Sequence, residues 1–107
     1  MKIVFFGTDE NAKLVLQCLL FSHKVVLVVT VPDKIRSRGN KESPTPVKLF
    51  CIKNKISCVE QIPETKDLKD LNPDIIIVAS YGRMIPSEII SFPKYGSLNL
   101  PPSLLPK

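Results

Sequence analysis

The sequence predicts an open, mostly parallel α/β sheet of Rossmann type with flanking helices, and three observations carry that expectation. Two runs, Lys24 to Thr30 and Asp74 to Ala79, are nearly unbroken in Val, Leu and Ile, so each strand is apolar on both faces and needs a helix layer above and below. Strand-like and helix-like stretches alternate along the whole chain, which is the order that builds right-handed βαβ units. No repeat or linker divides the chain, and 107 residues with 44% hydrophobic content are enough for one core and too few for two.

Each element has its own local reason. Lys2 to Phe6 is a short run of β-formers ending at Gly7, where a chain leaving a strand needs an unrestricted backbone. Thr8 is placed to cap the next helix, with Asp9 and Glu10 favourable at its positive end. Ala12, Val15, Leu16, Leu19 and Leu20 then recur at helical spacing, predicting a helix to about Ser22. Val31 to Ser43 is polar, basic and turn-like. A second helix is expected from about Thr45 to Asn54, with Pro46 tolerated in its first turn. Ser57 to Glu60 reads as a short strand, Glu64 to Leu71 as a polar helix, Pro86 to Ile90 as a helical turn, and Tyr95 to Leu100 as a last strand.

Composition removes several function classes. No apolar run reaches the roughly 18 residues of a membrane span, and the strand-like start lacks a signal-peptide layout, so a cytoplasmic protein is expected. The three cysteines, Cys18, Cys51 and Cys58, lie in apolar segments without a Cys-x-x-Cys pair, and His23 is the single histidine. Buried reduced thiols and no metal site follow. The net charge of +5 says little alone, but Lys34, Arg36, Arg38 and Lys41 crowd into one segment.

In such a sheet, ligands bind beyond the carboxyl ends of the strands, where strand order reverses. Three loops therefore matter: Gly7 to Glu10, Tyr81 to Pro86, and the stretch after Asn99. The first has one glycine instead of Gly-x-Gly-x-x-Gly, so no dinucleotide fingerprint is present. Read without further context, Asn99 closes a strand end and His23 sits at a helix end.

A set of motifs then appears in order: Ile3-Val4-Phe5-Phe6-Gly7-Thr8, Pro32-Asp33, Arg38-Gly39, Pro44-Thr45-Pro46-Val47-Lys48, Asn72-Pro73-Asp74, Tyr81-Gly82, Ile85-Pro86, and Gly96-x-x-Asn99-x-x-x-Ser103-Leu104-Leu105-Pro106. Over essentially the whole chain this resembles the amino-terminal, folate-binding portion of the methionyl-tRNA formyltransferases. The resemblance implies transfer of a formyl group from 10-formyltetrahydrofolate to the amino group of initiator methionyl-tRNA. It implies a formyl-oxygen donor at Asn99, folate contacts at Arg83, Met84, Ile85, Ser103, Leu104 and Leu105, and tRNA contacts at Arg36, Arg38 and Lys41. The family's Asn-x-His motif is broken, because Pro101 stands where its histidine belongs, and proline has neither an ionisable group nor a side-chain donor.

Residues 1 to 107 are accordingly expected to be a partial formyltransferase amino-terminal domain, without the family's orienting aspartate or its carboxy-terminal barrel, and inactive alone. An exposed strand edge favouring self-association is also expected. The alternatives are a non-catalytic folate- or tRNA-binding remnant, or a fragment of another 10-formyltetrahydrofolate-dependent formyltransferase.

Overall fold

The computed structural model describes residues 1–32, 34–35 and 42–100. Strands β1 (Lys2–Gly7), β2 (Lys24–Val29), β5 (Cys58–Val59), β6 (Ile75–Ala79) and β7 (Ser97–Leu100) form one sheet in the order β5-β2-β1-β6-β7. Every pairing in it is parallel. A two-stranded antiparallel ladder, β3 (Lys34–Ile35) with β4 (Glu42–Ser43), lies within the segment read as turn-like.

Alternation along β1 explains how both faces of the sheet are sealed. Ile3 and Phe5 point to one face, where they meet Ala12, Val15 and Leu16 of α1 (Glu10–Leu19) and Val47 and Cys51 of α2 (Pro46–Asn54). Val4 and Phe6 point to the other, against Leu68 of α3 (Thr65–Leu71) and Ile89 of α4 (Ser87–Ile90). Phe5 and Phe6 are fully buried, and truncating either to Ala costs about 3–5 kcal/mol.

Three details of α1 differ from expectation. Its N-cap is Asp9, whose side chain accepts from the Ala12 amide at 3.0 Å, and Thr8 is left free for another partner. The helix also ends at Leu19, with no apolar surface to hold Leu20 to Ser22, and Phe21 stands 89% exposed. Cys18, expected inside, is exposed: at about 100° per residue it lies well to the side of the face formed by Ala12, Val15 and Leu16. At α2 the sequence is followed closely. Thr45 accepts from the Lys48 amide at 3.1 Å, and Pro46 occupies the first turn, where its missing N–H is harmless.

The strand order sets the location of the site. The chain builds outward from β1 to β2 and β5, then returns to β6 and β7 on the other side, so the reversal lies between β1 and β6.

Candidate active site at the carboxyl end of the sheet

At the reversal the β1 exit is tight. A Cβ on Gly7 would fall 2.8 Å from the Ala79 carbonyl oxygen and 2.7 Å from the Ala12 Cβ, so only glycine lets β1 and β6 end side by side. Thr8 follows, and its hydroxyl donates to the Tyr81 carbonyl at 3.0 Å.

The β6 exit turns sharply, with Ser80 at φ 52° and Gly82 at φ 87° on either side of Tyr81. Tyr81 faces inward, 3% exposed, its ring edge-on to Phe6 with centroids 5.1 Å apart. Burial pushes its phenol pKa up from the ordinary value, and the charge of Arg83 partly opposes this. Its hydroxyl is buried with no hydrogen-bond partner among the described residues.

Beyond Tyr81 the backbone is open. Among the described residues, the amides of Gly82, Arg83, Met84 and Ile85 donate to no other group of the chain. Arg83 is exposed, Met84 is 91% exposed, and Ile85 is half-buried against the second core. Met84 is therefore no core residue.

Asn99 pairs with Val78 in the β6–β7 register, which carries it to the same end of the sheet. Ser80, Tyr81, Arg83, Met84, Asn99 and Leu100 line one open cleft of about 420 Å³. Three of the expected site residues, Arg83, Met84 and Asn99, thus share a cleft, and Ile85 packs beneath the same loop. Ser103, Leu104, Leu105 and Pro101 lie outside the described residues, as do Arg36, Arg38 and Lys41. A larger cleft of about 690 Å³ sits beside α3, lined by Leu27, Ile62, Glu64, Asp67 and Leu71. Glu64 and Asp67 there are already engaged in capping α3, and the cleft is away from the strand reversal, so the smaller cleft has the better claim.

The remaining candidate groups carry no chemistry. His23 lies past the end of α1, away from the strand exits. Cys51 hydrogen-bonds Cys58, and this bond, burial and the Cys58 charge all push its pKa far up, so it is a structural thiol. Among the described residues no group of three or more His, Cys, Asp or Glu is arranged to hold a metal ion. Nor is any helix there long and apolar enough to cross a membrane.

Sequence reasoning missed two threonine contacts at this end. Besides the Thr8–Tyr81 bond, the Thr30 and Thr45 hydroxyls meet at 2.9 Å in a fully buried position. The available signal was a lone hydroxyl residue closing an apolar strand.

The comparisons agree with this architecture. A family model described as formyl transferase matches residues 1–107. The chain is 46% identical to a methionyl-tRNA formyltransferase of a Sulfurihydrogenibium species and 41% identical to that of Dictyoglomus thermophilum. All of this chain is covered in both, but it spans only 37% and 36% of their lengths. A glycinamide ribonucleotide transformylase from Geobacillus kaustophilus superposes with TM-score 0.61 over 92% of this chain and 56% of its own; at 15% identity the likeness is one of fold. With the family model matched along its whole length, this chain belongs to the formyl transferase family.

Proposed function

We propose that the chain supplies the formyl-donor half of a cytoplasmic methionyl-tRNA formyltransferase, with 10-formyltetrahydrofolate held at the carboxyl end of the sheet. The observation that carries this reading is the run of unused amides at residues 82–85, with Gly82, Arg83 and Met84 lining one cleft with Asn99 at the strand reversal. Such amides are ready donors for the polar edge of a folate ring, and Arg83, Met84 and Ile85 bind through them. Ser103, Leu104 and Leu105 are included as further folate contacts on the family resemblance alone.

In the reaction the methionine amine attacks the formyl carbon and the carbonyl pair moves onto oxygen. The Asn99 amide N–H donates to that oxygen as its charge grows. Collapse breaks the bond to the folate nitrogen, which takes up a proton, while the attacking nitrogen must lose one. Pro101 can serve neither transfer, so the chain by itself holds and polarises the donor without a proton relay. Arg36, Arg38 and Lys41 meet tRNA phosphates.

A second reading, a non-catalytic folate- or tRNA-binding module, is favoured by the same proline. Self-association through β7 is compatible with either, since the strand ends the described sheet and leaves Leu98 49% exposed.

The test is calorimetric titration with a stable 10-formyltetrahydrofolate analogue. Met84→Pro, which deletes one amide donor on an exposed residue, should weaken binding about tenfold, and Met84→Ala should leave it unchanged. No binding by the wild-type chain would overturn the donor-site reading.

A further inference from the structure

Residues 80–85 are held to the rest of the molecule in an unusual way. Among the described residues they make a single hydrogen bond, the one from the Thr8 hydroxyl to the Tyr81 carbonyl. The stretch needs such a restraint, because Ser80 carries a side chain at φ 52°, a conformation that persists only where surrounding structure enforces it. Thr8 is itself well anchored. Gly7 is pressed against Ala79 on one side, and the Thr8 carbonyl accepts from the Val47 amide at 3.3 Å in the first turn of α2. The hydroxyl therefore projects from a rigid point toward a loop whose Tyr81 and Ile85 side chains pack into the second core among the described residues.

We propose that Thr8 is a positioning residue for the candidate donor site: its hydroxyl fixes the Tyr81 carbonyl and so aims the unpaired amides of Gly82, Arg83 and Met84 into the cleft they line. It touches no ligand and acts through Tyr81. The ligand half of this statement rests on the donor-site reading, and the loop half does not.

Two measurements separate the halves. Backbone ¹⁵N relaxation should give order parameters near about 0.85 for Gly82, Arg83, Met84 and Ile85 in the wild type and in Thr8→Ser, which keeps the hydroxyl. In Thr8→Val, which keeps the shape and loses the donor, the same amides should fall below about 0.6, while amides of Phe5, Val28 and Ile77 stay unchanged. Affinity for the folate analogue should drop about tenfold in Thr8→Val and recover to within about twofold in Thr8→Ser. If Thr8→Val does not fold, Thr8→Ala against Thr8→Ser makes the same comparison. Loop amides that stay as ordered without the hydroxyl would overturn the proposal. A wild type that binds no analogue, with the loop still loosened by Thr8→Val, would sink the donor-site reading and leave Thr8 as the loop's anchor.

Discussion

Thr30 and Thr45 are fifteen residues apart in the chain, yet their hydroxyls meet at 2.9 Å in a fully buried position. Thr45 also caps α2 through the Lys48 amide. Thr45→Ala removes the cap, about 1 kcal/mol, and orphans a buried hydroxyl on Thr30, about 1–2 kcal/mol more. Urea unfolding should show a loss of about 2–3 kcal/mol, and Thr45→Ser should lose under about 1 kcal/mol. A small effect of Thr45→Ala would mean that the two hydroxyls do not share a bond.

Two glycines should respond for different reasons. At Gly7 an added methyl meets Phe5, Ala12 and the Ala79 carbonyl at 2.6–2.8 Å, an overpacking that costs about 3 kcal/mol. At Gly82 the same methyl meets nothing, and only the left-handed backbone at φ 87° objects, at about 1 kcal/mol. Thermal midpoints should therefore rank Gly7→Ala well below Gly82→Ala.

Tyr81 predicts a pH dependence. Burial raises its folded-state pKa above the ordinary tyrosine value of about 10. Its contribution to stability is fully present below that value and is lost as pH rises from there through the folded-state value. Tyr81→Phe removes both the ionisation and an unpartnered buried hydroxyl. It should be about 1 kcal/mol more stable at pH 7, with the gap widening above pH 10 in urea titrations.

The arrangement of strands was legible because its signal is local: unbroken β-branched runs at β2 and β6 demand cover on both faces wherever they sit. The start of α2 near Thr45, with Pro46 in its first turn, was legible for the same reason. Thr8 was not. Thr8 and Asp9 are both good caps, and what assigns the role to Asp9 is a partner for Thr8 that lies 73 residues away. Cys18 was misjudged because an apolar neighbourhood in sequence does not say which side of a helix faces the sheet. The α/β sheet pattern already put the Tyr81 to Pro86 loop and the strand end at Asn99 at one end of the sheet, while the choice of Arg83, Met84 and Asn99 within them came from family resemblance.

If the basic segment meets tRNA as proposed, Arg38→Ala should weaken that binding and lower the slope of log affinity against log salt by about one unit. Binding undetectable even at low salt would overturn the proposal that this segment meets tRNA.

Position 101 decides the proposed chemistry most directly. Residues 1–107 are joined to the downstream portion of an intact methionyl-tRNA formyltransferase, once with Pro101 and once with Pro101→His, and formyl transfer to methionyl-tRNA is measured. The histidine graft should be active and the proline graft about a hundredfold to ten-thousandfold slower, the usual cost of one lost acid or base. Asn99→Ala in the histidine graft should lower kcat again. Equal rates for the two grafts would contradict the assignment of Asn99 and Pro101 to the reacting centre.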